Sequence, residues 1–490
     1  MLGRLLRNSS SYAVGSFLVT IAGAVSFPIF TRTFSVAEYG TLNLISSVLL
    51  LCTGIGKLGI QQSIIRFHAE VCAGNRPITE STYLSTILIG MTCTGAAATL
   101  ILALLSAMVP TAWWHNDQAA KLMVPLSLLI IIRVLDSGIT NILRAQERSV
   151  FFTVYNVTRK YAALAIILLI MFYFVPRLEG FYLGTFIVEA GAVVFMLTYL
   201  YRKHDLSPNK FSFDTFKDMV AFGMPMIAYE VSGIVLNLGD RYVIQAKLGG
   251  EALGQYSAAY NLCEYLQAML MASFAQAVMP MYLKIWETKG AEDTKRFIEK
   301  AFRFYLLVAM AVLAGMTAVG QDILTVLASE KYLKGGAVIP FVVAGLLIDG
   351  LVPILGAGIF IHKQNRMLIP GVLIAAIINI LLNIALVPIC GIVGAGVATL
   401  ICYVLVTTLA WYLGGRRFRV DLPLMDVCKF AVLATIMYAV IQQIHVERPI
   451  YDLLAKVISG VFIYALLVVA FDRQSRDLFL QVLTRLKLKG

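Results

Sequence analysis

The feature that most constrains this chain is a succession of apolar runs, each near twenty residues long, with no extended polar stretch between them. A helix rises about 1.5 Å per residue, so roughly 20 apolar residues cross the ~30 Å hydrocarbon core of a bilayer. On that ruler the sequence predicts about fourteen spans: 11–33, 41–65, 82–109, 120–143, 151–174, 180–201, 217–239, 254–281, 301–327, 337–361, 367–388, 392–413, 427–445 and 451–471. The second and eighth are long and need tilt or an extension beyond the bilayer. With 59% hydrophobic and only 14% charged residues, the chain has more apolar surface than one soluble core can hide. The expected fold class is therefore all-α integral membrane.

Charge sets the orientation. With the N-terminus cytoplasmic, 29 Lys and Arg fall in cytoplasmic loops or ends and 9 in external ones, leaving Lys57 and Arg133 inside spans. That bias is what the positive-inside rule produces, and it places both termini in the cytoplasm. It also accounts for the net charge of +12 without a nucleic-acid partner. Arg4 and Arg7 ahead of an apolar run resemble a signal peptide, but the run continues from Tyr12 to Phe30 and further spans follow, so a retained first helix is expected. The tail from Arg473 to Gly490 alternates basic and apolar residues. It suits either a short interfacial helix on an anionic leaflet or a solvated end. No loop is long enough for a soluble domain, a Walker A loop or an external catalytic module. The seven cysteines are scattered without a CxxC pair and read as small core residues.

An internal repeat divides the chain. Glu38-Tyr39-Gly40-Thr41-Leu42-Asn43-Leu44 follows the first span, and Gly254-Gln255-Tyr256-Ser257-Ala258-Ala259-Tyr260-Asn261-Leu262 follows the seventh. An offset of six spans keeps both copies in the same orientation, which implies two parallel six-helix lobes around a central cavity. The expected divisions are 1–206, 207–415, two appended helices over 416–472, and the basic tail 473–490.

Charges inside spans are costly, so each is a functional candidate. They are Lys57, Arg133, Asp136, Glu189, Glu230, Glu264 and Asp349, with Arg159 and Lys160 near one end of the fifth span. Arg133 and Asp136 share a helix face and can pair with each other. Lys57, Arg159 and Lys160 have no acid nearby in sequence. Either the last two snorkel to the interface, or the set lines a water-filled cavity that attracts a pyrophosphate or an acidic sugar. Asn379 and Asn383, at i and i+4, either bond helices together or line the same cavity. Glu230, Asp349 and, more weakly, Glu264 are the candidates for exchanging a proton or binding sodium during transport. Pro28, Pro225, Pro340, Pro353 and Pro370 fall in or beside spans as potential kinks. The five histidines form no metal-ligand pair at helical spacing, and no nucleophilic triad stands out. No cofactor is expected beyond a coupling H+ or Na+.

Four stretches carry a resemblance: Phe27-Pro28-Ile29-Phe30-Thr31-Arg32 with Ala37-Glu38-Tyr39-Gly40; Leu58-Gly59-Ile60-Gln61-Gln62-Ser63-Ile64-Ile65-Arg66-Phe67; Gly239-Asp240-Arg241-Tyr242-Val243-Ile244 leading to Leu253-Gly254-Gln255-Tyr256; and Asn379, Asn383 and Pro388 before Gly391-Ile392-Val393-Gly394-Ala395-Gly396. Together they resemble the polysaccharide transporter family of Wzx-like O-antigen flippases, within the superfamily that includes MATE drug exporters and the lipid II flippase. The resemblance implies a V-shaped transporter of the bacterial cytoplasmic membrane. It would move an undecaprenyl-diphosphate-linked oligosaccharide outward by alternating access, for O-antigen, exopolysaccharide or capsule synthesis. The implied partners are that substrate, membrane lipids and polysaccharide polymerase machinery, with no nucleic acid. A cationic cavity lining is carried over as a theme, to Lys57, Arg133, Arg159 and Lys160. Two other classes stand beside this one. A MATE-type exporter of organic cations would favour an acidic, aromatic cavity. An integral membrane polymerase would require a sizeable external loop with Arg and His.

Overall fold

A computed structural model describes residues 2–108, 116–420 and 423–477. Its regular elements there are helices, with no strand among the described residues. They are α1 (Leu2–Thr33), α2 (Val36–Gly56), α3 (Ile60–Cys72), α4 (Glu80–Met108), α5 (Asp117–Leu126), α6 (Leu128–Ala145), α7 (Ser149–Tyr173), α8 (Leu178–Lys203), α9 (Phe213–Leu238), α10 (Asp240–Lys289), α11 (Ala291–Leu327), α12 (Ile339–Asp349), α13 (Val352–Leu355), α14 (Ala357–Ile361), α15 (Ile369–Gly415), α16 (Leu424–Ile441) and α17 (Pro449–Phe471). The all-α membrane class is as expected. By length and composition, 10 helices among the described residues can cross a membrane, or 11 if the bent pair α5–α6 counts as one. Fourteen were expected. Part of the difference lies in two continuous stretches, Phe213–Ala268 and Asn365–Gly415, which each run through two expected spans.

The breaks in those stretches are glycines. Gly249 (φ 84°) interrupts α10 and Gly391 (φ 62°) interrupts α15, both in the left-handed region that only glycine adopts freely. The expected second span is likewise two helices, because Leu58 (φ 46°) and Gly59 (φ 68°) separate α2 from α3. The fourth span bends by 51° between α5 and α6. Of the five prolines, Pro340, Pro353 and Pro370 sit in the first turns of α12, α13 and α15, where a missing N–H costs nothing. Only Pro28 and Pro225 stand inside helices, α1 and α9. Residues 478–490 of the basic tail lie outside the described residues.

By packing, the chain divides into one unit of Met1–Ser257 with Ile369–Ala395, and a second of Ala258–Leu368 with Gly396–Gly490. The expected divisions at 206 and 415 followed the repeat and do not coincide with these boundaries.

In the first unit, the Ala37-Glu38-Tyr39-Gly40 motif has two local roles. The Ser35 hydroxyl accepts from Glu38 N at 3.2 Å while Glu38 Oε2 accepts from Ser35 N at 2.9 Å, a reciprocal cap that starts α2. Gly40 then lets α10 come close: a Cβ there would lie 2.3 Å from the Gly250 carbonyl oxygen. A Cβ on Gly254 would lie 1.9 Å from the Val36 carbonyl oxygen. The two copies of the sequence repeat therefore pack directly on each other through their glycines. A second crossing joins Gly59 and Gly223, where a Cβ on either would stand 2.3 Å from the other's carbonyl oxygen.

In the second unit, α16 and α17 are fastened to α11 by charge at two places. Arg303 on α11 pairs with Asp426 at 3.1 Å and with Asp472, and Lys429 reaches Asp472 at 2.6 Å. Farther along, Lys456 on α17 reaches Asp322 of α11 at 3.0 Å and its own Asp452 at 2.6 Å. Between these clusters the helices leave an apolar groove of about 870 Å3.

Candidate functional site

A polar cavity of about 630 Å3 lies wholly within the first unit. Four helical stripes build it. From α6 come Arg133, Asp136, Ser137, Thr140, Asn141 and Arg144, whose spacing of three and four residues puts them on one face. From α7 come Phe152, Asn156 and Arg159. The α2–α3 segment supplies Thr53, Lys57, Gln61 and Gln62, and α9 supplies Tyr229 and Glu230. The break at Leu58–Gly59 matters here, since it ends α2 at Lys57 and restarts α3 with Gln61 and Gln62 facing the same space. The Gly59–Gly223 crossing holds α9 against that break.

Ion pairs organise the charges. Lys57 Nζ donates to Glu230 Oε1 at 3.0 Å, and Gln61 Nε2 donates to Glu230 Oε2. Arg133 makes a two-pronged contact with Glu189 of α8, Nε at 2.9 Å and Nη2 at 3.1 Å. Arg159 pairs with Asp136, which also accepts from the Tyr155 hydroxyl at 2.6 Å. All six charged side chains are mostly buried yet keep between 13% and 27% of their surface open. Paired charges of this kind are tolerated at membrane depth, and their open edges are available to a polar ligand. The fourth cation, Arg144, has no carboxylate within pairing distance among the described residues. Its guanidinium instead lies 4.6 Å from the centre of the Phe152 ring.

The outcome for the sequence candidates is mixed. Lys57, Arg133, Arg159 and Glu230 converge on the cavity. Arg133 does not pair with Asp136, its neighbour on the same face; both acids and bases there find partners on other helices. Lys57 and Arg159, with no acid nearby in sequence, find distant ones in Glu230 and Asp136. Lys160 is exposed and does not line the cavity. Asn379 and Asn383 are fully buried, with Asn383 Nδ2 donating to the Asn379 carbonyl at 2.8 Å and to its Oδ1 at 3.1 Å. They bond within α15 and are not part of this lining. Asp349, the last residue of α12, and the exposed Glu264 belong to the second unit. The sequence reading missed Arg144, Asn141 and Asn156. The signal was available as a polar stripe through α6 continuing from Arg133 every third or fourth residue.

A helical membrane protein with a charged, amide-rich cavity among its spans is built to hold a polar solute where lipid surrounds the helices. Comparison with known proteins places it more closely. The chain belongs to the polysaccharide biosynthesis protein family, which matches residues 5–286. It is 23% identical over 322 residues, 63% of this chain and 73% of the other, to a Shigella flexneri protein named for O-antigen transport. Its fold is similar to that of the lipid II flippase MurJ in an inward closed conformation, with a TM-score of 0.78 at 16% identity over 96% of this chain and 99% of that one. It is also similar to the MATE multidrug transporter DinF-BH, with a TM-score of 0.62 at 14% identity over 84% and 95% of the two chains.

Proposed function

We propose that this protein moves a lipid-linked oligosaccharide, carried on a polyprenyl diphosphate, outward across the bacterial cytoplasmic membrane by alternating access. The observation that carries the reading is the cavity lining of Lys57, Arg133, Arg144 and Arg159 among Gln, Asn, Ser and Thr side chains. Amides and hydroxyls match the donors and acceptors of sugar hydroxyls, and cations match phosphate. Family membership and the flippase-like fold support the same direction. Both termini are cytoplasmic in this reading, and polymerase machinery receives the product outside. A coupling H+ or Na+ is handled by Glu230 or Asp349. A MATE-type exporter of organic cations is less well matched, because the four cations of the lining outnumber its two acids, Asp136 and Glu230, and leave an excess of positive charge.

Deletion of the gene, followed by mass spectrometry of lipid-linked saccharides in extracted membranes, tests this. The expected result is accumulation of one diphosphate-linked repeat unit, reversed by the intact gene. An unchanged profile with gained sensitivity to cationic drugs would replace the flippase by an exporter.

A further inference from the structure

We propose that Arg144 is the residue that grips the phosphate of the cargo, while the other three cavity cations serve as a neutralised hydrogen-bonding wall for the saccharide. The proposal rests on the flippase reading above and assigns its parts. Lys57, Arg133 and Arg159 are matched by Glu230, Glu189 and Asp136. A phosphate could use any of them only by displacing a carboxylate, which leaves that acid uncompensated at membrane depth. Arg144 requires no such exchange.

Two features prepare it for an anion. The guanidinium carbon lies 4.6 Å from the centre of the Phe152 ring, a contact that leaves its N–H donors unclaimed by any carboxylate among the described residues. It occupies the last turn of α6. It is also exposed, unlike the half-buried pairs deeper along the same stripe, so a headgroup meets it first. In the orientation proposed above this end of α6 faces the cytoplasm, the side from which an outward transporter loads. One and two turns farther along the face, Asn141, Thr140 and Ser137 lead to the Arg159–Asp136 pair. A glycan attached to the phosphate would lie over these amides and hydroxyls, which suit it.

The ligand chemistry is a lipid-borne phosphate, and its two sources are a polyprenyl diphosphate and the bulk anionic lipid. Full-length protein in phosphatidylcholine nanodiscs is titrated separately with undecaprenyl diphosphate and with phosphatidylglycerol, and bound lipid is read by native mass spectrometry. Arg144→Gln should weaken diphosphate binding about tenfold or more, and Arg144→Lys by less, because lysine keeps the charge and loses the two-pronged fork. Arg202→Gln, an exposed cation at the end of α8 away from the cavity, should leave it unchanged. Thermal unfolding of each variant separates lost binding from lost fold. Native-like affinity in a folded Arg144→Gln overturns the assignment and leaves the flippase reading standing. An equal fall for Arg202→Gln, or an equal loss of phosphatidylglycerol, assigns Arg144 to general surface attraction and also overturns it. Wild-type protein that ignores the diphosphate removes both the assignment and the reading beneath it.

Discussion

Lys57 Nζ stands 3.0 Å from Glu230 Oε1 although 173 residues separate them in the chain. The contact ties the break between α2 and α3 to the middle of α9, and Gln61 adds a second bond to the same carboxylate. Removing one partner leaves the other charged and poorly compensated. Glu230→Ala should therefore lower stability by about 1–3 kcal/mol, seen as a fall in melting temperature in detergent. Lys57→Met added to it should recover part of that loss. A double variant whose losses simply add would mean that the two side chains do not interact.

The glycine crossings make a sharper test, because they concern space alone. Gly223→Ala puts a methyl group 2.3 Å from the Gly59 carbonyl oxygen, a distance backbone atoms must move to relieve. A cost of about 1–3 kcal/mol is expected, the usual range for overpacking, together with loss of transport as α9 is pushed off the Lys57 break. Gly233 on the same helix has nothing within 4 Å of a Cβ, so Gly233→Ala should be neutral or slightly stabilising. Equal effects at the two positions would show that the crossing is not close in the working protein.

Just past the end of α17, Asp472 predicts a pH dependence. Burial works against its charged form, but the hydrogen bonds from Lys429 and from Ser475 outweigh that, and the carboxyl is held at about 2. An unfolded-chain aspartate titrates near ~3.9. The folded value is the lower one, so the stabilisation is fully present above about pH 4 and is lost as pH falls toward 2. Allowing for solvent screening it amounts to about 1–2 kcal/mol. Asp472→Asn should lower the melting temperature at pH 7 and flatten its fall between about pH 4 and pH 2. An unaltered acid profile in that variant would place the sensitivity elsewhere.

Much of the fold was legible in the sequence because bilayer thickness imposes a length on every span, and lengths can be read from apolar runs. The helix breaks at Gly249 and Gly391 fall between expected spans for the same reason. Pairing was not legible. Arg133 had an acid three residues away and took Glu189 instead, since partners at membrane depth are chosen by which helices touch. Nor could the repeat around Gly40 and Gly254 reveal that its two copies press on each other, because a small residue marks a close approach without naming what approaches. Arg144 escaped notice for a different reason. It lies at the end of a span, where cations count toward orientation, and only the stripe through Arg133, Asp136 and Thr140 connects it to the cavity.

Ion coupling is the part of the proposed cycle that rests on acids rather than cations. Glu230 faces the cavity with Lys57 and Gln61 beside it from the α2–α3 break, and it shares the lining with Arg133, Asp136 and Arg159 from α6 and α7. A proton or sodium ion arriving there would compete with Lys57 for the carboxylate and loosen the tie between the α2–α3 break and α9. The Asp349 side chain, at the end of α12, has no hydrogen bond or ion pair among the described residues, so a cation there would displace no basic side chain from the carboxylate. Glu230→Gln with Asp349→Asn should make transport indifferent to imposed proton and sodium gradients, measured as movement of a labelled lipid-linked saccharide in vesicles. The single variants should each retain part of the response if the two acids act separately. Full gradient dependence in the double variant would exclude both as the coupling groups, leaving the cavity cations with a purely binding role.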